Sequence, residues 1–166
     1  ITPEVTEYDN TLEYGQWGWY TEQRTPDQGP RARDAPAMTY DVARGVTLLF
    51  GGADGSNLLQ DTWGWDGESW TNLTPAGPSP PARSHHTMVY DEARAIILLF
   101  GGWDGTSALQ DTWEWDGTTW TERTPIGPLP PKRSNHGMAY DVERNTTWLF
   151  GGRDEDEFEE FDDLWG

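Results

Sequence analysis

The doublet Gly-Gly stands at Gly51-Gly52, Gly101-Gly102 and Gly151-Gly152, each time straight after an apolar run ending in Leu-Phe. The spacing is fifty residues, held twice without slippage. Laid ungapped over residues 101–150, residues 51–100 share 29 identities in 50, so the chain is an array of copies of one supersecondary unit. Such a unit cannot bury both of its faces alone and needs a neighbour on each side. A period near fifty residues, with short strands and Gly-rich turns, points to the blade of a β-propeller.

The copy that begins at Arg83 shows the unit most clearly. After Pro78-Ser79-Pro80-Pro81, which cannot pair, Ser84-His85-His86-Thr87-Met88-Val89-Tyr90 reads as a first strand. Asp91-Glu92-Ala93-Arg94 turns the chain into Ala95-Ile96-Ile97-Leu98-Leu99-Phe100. That run is continuously apolar, as a central strand covered on both faces requires. The doublet ends it, where missing side chains permit positive φ or close backbone approach. A third strand, Gln110-Asp111-Thr112-Trp113-Glu114-Trp115, and a fourth, Thr118-Thr119-Trp120-Thr121-Glu122-Arg123, are joined by Asp116-Gly117. That pair predicts a two-residue type I′ turn with positive φ at both positions. The unit is then a four-stranded antiparallel meander. Period two puts Trp113 and Trp115 on one face, where they are expected to fill the wedge between neighbouring units.

Arg33, Met38 and Tyr40, and again Arg133, Met138 and Tyr140, repeat Arg83, Met88 and Tyr90. Full units are expected over residues 33–74 and 83–124, and the first three strands of another over 133–166. Asn10-Thr11-Leu12-Glu13-Tyr14 and Trp19-Tyr20-Thr21-Glu22 mimic the outer half of a unit over residues 10–26. The whole of 1–166 is thus expected to be one partial propeller. The chain opens on Ile1 with no initiator methionine or signal peptide and stops mid-unit, which suggests a segment of a longer protein. The alternative is a second copy of the chain, joined head to tail. Against shared strands, Asp163-Leu164-Trp165 and residues 10–14 both claim a third-strand position.

Composition narrows the function. A net charge of −18 and a pI near 4.2 argue against nucleic acid, whose phosphates are bound by clustered Lys and Arg. The absence of cysteine removes disulfides and Cys-ligated zinc. No run approaches the roughly 20 apolar residues of a membrane-spanning helix.

An apolar strand closed by Gly-Gly, a loop with Asp-Gly, and an aromatic pair such as Trp65 and Trp70 or Trp115 and Trp120 resemble the kelch repeat over nearly the whole chain. The form with Asp-Thr-Trp-Glu-Trp-Asp-Gly, Arg-Thr-Pro and Pro-Pro-X-Arg-Ser is similar to kelch arrays of secreted or surface-anchored bacterial proteins. The resemblance implies an all-β fold, a kelch-type propeller of four-stranded antiparallel blades that is incomplete within this chain. It implies a secreted or cell-surface location. It also makes the first strand innermost and puts the loops between strands two and three on the same face as those from strand four to the next blade.

Candidate site residues follow from that placement. His86 and His136 are expected at the mouth or wall of the central channel, or as hydrogen-bonded structural histidines. Arg33, Arg83 and Arg133 either form a ring of cations on one face or pair with acids of their own or a neighbouring blade. In the Gly-Gly-X-Asp-Gly loop, Asp54 and Asp104 are retained while X is Ala53, Trp103 and, in a diverged copy, Arg153. A loop position that varies on an unchanged scaffold is where recognition is placed at little structural cost, so Trp103 is the leading contact residue. Residues 154–163 carry clustered carboxylates, conceivable calcium ligands, without the Asp-x-Asp-x-Asp-Gly pattern of a dedicated loop. No cofactor is expected otherwise.

Three function classes stand. The first is a non-catalytic binding module for a protein or glycan within a larger or multi-chain extracellular propeller. The second is an enzyme, since the family's fold also carries oxidase and sugar-isomerising activities. Against it, the copper-radical variant needs a Cys-Tyr cross-link that a chain without cysteine cannot form. The third is a structural array that assembles with itself. Fold alone does not choose among them.

Overall fold

The computed structural model describes residues 29–124 and 126–166. Blade 1 is the antiparallel sheet β1 (Ala37–Asp41), β2 (Val46–Phe50), β3 (Thr62–Trp65) and β4 (Trp70–Asn72), paired in sequence order. Blade 2 repeats it with β5 (Thr87–Asp91), β6 (Ile96–Phe100), β7 (Thr112–Trp115) and β8 (Trp120–Arg123). Blade 3 begins with β9 (Gly137–Asp141) and β10 (Thr146–Phe150). A two-stranded hairpin, β11 (Arg153–Asp154) with β12 (Glu159–Glu160), follows, and β13 (Leu164–Trp165) then pairs with β10. All described regular structure is β, and the half blade expected over residues 10–26 lies outside the described residues.

The register explains the repeat. Phe100 faces Thr112 and Leu99 faces Trp113, while Phe150 faces Leu164 and Leu149 faces Trp165. Asp163-Leu164-Trp165 therefore takes the third-strand position of blade 3, which the sequence had left in competition with residues 10–14. The outer hairpins differ from the expected turn. Asp66 donates its N–H to the Ser69 carbonyl, making Gly67 and Glu68 the central pair, and only Gly67 has positive φ (103°). Gly117 matches it. These are turns with glycine first, not type I′. The aspartate is instead a cap: Asp116 Oδ1 accepts the N–H groups of Thr118 and Thr119, which no I′ geometry is needed to supply.

The core lies between blades. Trp115 and Trp120 sit 5.2 Å apart, and Trp120 also meets Phe50 of blade 1 at 5.2 Å and donates its indole N–H to Thr62 Oγ1 at 3.0 Å. Ile97, Leu99, Met88 and Trp113 join the same buried cluster, so the tryptophans fill the wedge as expected. β1, β5 and β9 are neighbours from blade to blade, which places the first strands innermost.

Two joints with one design hold the blades. His85 N–H donates to the Ala35 carbonyl, and Asn135 N–H to that of His85, at 3.1 and 3.0 Å. Gly52 N–H donates to the Arg83 carbonyl at 2.8 Å, and Gly102 N–H to that of Arg133 at 2.9 Å. Ala43 N–H reaches the Tyr90 hydroxyl, and Ala93 N–H that of Tyr140. Finally, His86 stands edge-on to Phe50 at 5.6 Å and His136 to Phe100 at 5.5 Å. The repeated Tyr and the Leu-Phe-Gly-Gly string are thus joint residues.

Candidate functional site

The loop face is assembled from the segment after each second strand and the segment leading into each first strand. Ser84 and Trp103 exchange both backbone hydrogen bonds, at 3.1 and 2.8 Å, as do Asp34 with Ala53 and Ser134 with Arg153. The variable residue of each loop is therefore clamped through its backbone while its side chain is left to vary. The next aspartate closes the loop: Asp54 Oδ1 accepts from Ser56 and Asn57, and Asp104 Oδ1 from Thr106 and Ser107. The Asn57 N–H first, then Arg31, lower the Asp54 pKa to about 2. Both aspartates serve as loop caps, and Asp54 is further engaged by Arg31 at 2.7 Å.

The three arginines face inward. Arg83 binds both carboxylate oxygens of Asp111 at 2.6 Å and donates to the Gly101 and Pro81 carbonyls at 2.9 and 3.0 Å. Arg133 does the same with Asp163, Gly151 and Pro131, and Arg33 pairs with Asp61 and Gly51. Both Arg83 and Arg133 are 0% exposed, so the reading as an open ring of cations is replaced by three blade-internal pairs. Each aspartate also accepts an indole N–H, from Trp63, Trp113 and Trp165. The pair survives in blade 3 although two extra residues separate its members, which shows that it anchors the third strand.

His86 and His136 are buried in the joints and do not open onto a channel. They are structural, but neither ring has a well-aligned hydrogen-bond partner. Burial, then the Arg83 guanidinium and His136, lower the His86 pKa to about 3; burial and Arg133 lower that of His136 to about 4. A neutral buried histidine binds its proton less readily than the unfolded chain, so stability holds above the unfolded pKa of about 6.5 and falls as pH drops toward the folded values. The unfolding free energy from urea titrations should decline below about pH 6.5 by up to about 1.4 kcal/mol per pH unit per histidine. The decline above the carboxylate range should flatten in a His86→Phe, His136→Phe double variant; an unchanged slope would remove the histidines as its cause.

What the structure does bring together is Trp103 and Arg153. They line one cleft of 330 Å³ between blades 2 and 3, with His85, Thr106, Glu155 and Asp156. Trp103 is half-buried there and Arg153 exposed, ion-paired to Glu155 at 2.7 Å. His85 was missed by the sequence reading. It is exposed at φ 56°, and its counterparts Ala35 and Asn135 share the left-handed backbone while differing in type, the same signal that singled out Trp103. The acidic run folds as the β11–β12 hairpin, with Phe158 91% exposed at its tip. Among the described residues no group of three or more His, Asp or Glu side chains is placed to hold a metal, and no helix is long and apolar enough to cross a membrane.

Four-stranded meanders joined through their innermost strands, with the loops after the second strands bridged to the segments leading into the first, define a β-propeller repeat protein in which this chain holds part of the ring. The sequence matches the KLHDC2/KLHL20/DRC7 Kelch-repeats domain over residues 8–166, and the chain belongs to the kelch-repeat family. Kelch-repeat domains generally mediate protein interaction. Among curated proteins no relative matches.

Proposed function

We propose that this chain is a non-catalytic interaction module that takes a protein ligand on its loop face, as part of a larger propeller of a secreted or surface protein. The observation that carries the reading is the clamped loop position. Ala53, Trp103 and Arg153 differ completely in chemistry on an unchanged backbone bridge, and two of them meet in one cleft. An aromatic wall beside charged groups is the composition of a binding hot spot. A glycan is the second reading, favoured by the indole of Trp103 sharing a cleft with the ion-paired Arg153 and Glu155, a combination that suits stacking on a sugar ring and bonding its hydroxyls. The extracellular placement is supported by the likeness of the Asp-Thr-Trp-Glu-Trp-Asp-Gly form to surface arrays.

Trp103→Ala should cost about 2 kcal/mol of affinity, the scale of an aromatic hot spot, with a nearly unchanged melting temperature. Ligands would be sought on a glycan array and by capture on immobilised protein, then measured by calorimetry. A variant that melts much lower yet binds normally would make Trp103 a packing residue and end this reading.

A further inference from the structure

Among the described tryptophans, Trp103 alone has a ring that the fold leaves unused. The others donate the indole N–H to a side chain, as Trp113 does to Asp111, or stack on another indole, as Trp65 does on Trp70 and Trp115 on Trp120. Trp103 is fixed through its backbone bridges to Ser84 and Ala108, and among the described residues its indole meets no acceptor and no other ring. The cleft that it lines also holds two carboxylates with an oxygen to spare. Glu155 accepts Ser134 Oγ at 2.9 Å and Arg153 Nε at 2.7 Å on Oε1, while Oε2 has no donor among the described residues. Asp156 accepts the Lys132 ammonium on Oδ2, and its Oδ1 likewise has none. The surrounding charge has one sign: eight of the ten residues 154–163 are acidic, Asp104 is exposed beside Trp103, and the chain carries −18. Arg153 is the exposed cation of the cleft, but its charge is held on Glu155, and the cation over a ring among the described residues is Arg133 on Phe161.

We propose that this cleft takes a cationic side chain, the guanidinium or ammonium of a basic segment on a protein partner, laid against the Trp103 ring with its charge on the free oxygens of Glu155 and Asp156. The proposal rests on the reading of the chain as a protein-binding module and names what that protein presents. An indole face is the strongest of the aromatic partners for a cation, and the attraction grows where water is excluded. A planar guanidinium can bond two carboxylate oxygens while it stacks. The one-signed field around the cleft draws a basic segment in and turns an acidic one away. Arg153 is then a tethered competitor, since it occupies Glu155 in the free protein and repels an incoming cation. Removing it should strengthen binding, whereas in a site for an anionic ligand the same change would weaken it.

The test titrates the intact chain with a peptide alternating Arg and Gly, and with versions in which Lys, Gln or Glu replaces Arg. The Trp103 indole N–H signal, assigned by its absence from the NMR spectrum of Trp103→Phe, should move with the Arg and Lys peptides and stay with the Gln and Glu ones. Affinities come from calorimetry at low salt and should fall as salt is added. Trp103→Leu, which keeps apolar bulk without a π face, should weaken the Arg peptide about tenfold, and Trp103→Phe about threefold or less. Asp156→Asn should weaken it about threefold, and Arg153→Ala should strengthen it about threefold. Glu68→Gln, on the exposed outer hairpin of blade 1, should change nothing, which separates the cleft from the acidic surface at large. Melting temperatures establish that each variant is folded. An unmoved Trp103 signal, full binding by Trp103→Leu, weaker binding by Arg153→Ala, or an effect of Glu68→Gln as large as that of Asp156→Asn would each overturn the proposal. Movement of the signal by the Gln or Glu peptide instead would also overturn it while leaving the interaction module standing, so the two readings fail separately.

Discussion

Gly102→Val is expected to lower stability by more than about 4 kcal/mol, the range reserved for overpacking and backbone strain acting together. Gly102 has φ 102°, and a Cβ there would lie 2.7 Å from His86 Cβ, 2.8 Å from the Ser84 carbonyl and 3.0 Å from His86 N. Two of those three atoms are backbone and cannot rotate away. They also belong to the segment that carries the Trp103 bridge and the second blade's half of the joint, so relief by movement would open both. Gly102→Ala should already cost a large part of the effect, since the clash begins at Cβ. Urea denaturation of both variants measures it, and wild-type-like midpoints would show that the doublet is not a backbone requirement.

Arg83→Met should cost about 3–5 kcal/mol, the usual cost of leaving a buried charge without its partner. Burial alone raises the Asp111 pKa, but the Arg83 hydrogen bonds and charge, with the Trp113 indole N–H, outweigh it and hold the carboxyl below its ordinary value. A depressed carboxylate stabilises the fold above its unfolded pKa and loses that contribution as pH falls through the folded one. The variant should therefore lose stability near neutral pH and lose less of its remainder on acidification. Adding Asp111→Leu should recover more than half of the loss, because an apolar pair replaces an ion pair whose desolvation was costly. No recovery in the double variant would mean that the Gly101 and Pro81 carbonyls, not Asp111, are what Arg83 chiefly serves.

Much of the fold was legible because it is periodic. The doublet marked strand ends, the continuous run of residues 95–100 marked a central strand, and the pairing of Trp113 with Trp115 on one face placed the wedge. Less was legible at the candidate site. Trp103 and Arg153 stood out as variable positions on a repeated loop, and they do share a cleft. The retained polar residues were harder to read, since identity in every copy is what both a binding ring and a structural anchor produce. Arg33, Arg83 and Arg133 repeat because each fastens a third strand, and Asp54 and Asp104 because each caps a loop.

By itself, then, the sequence determined the repeat unit, its strands and the faces they bury, because hydrophobic period and glycine placement act within a few residues along the chain. Only the tertiary structure decided which way each polar side chain is spent. Whether a guanidinium meets solvent or an aspartate depends on residues 28 or 30 positions away, and whether a histidine lines a channel or wedges a joint depends on the next blade. The same holds for Phe50 and Phe100, whose burial depends on His86 and His136 of the following blade packing edge-on against them.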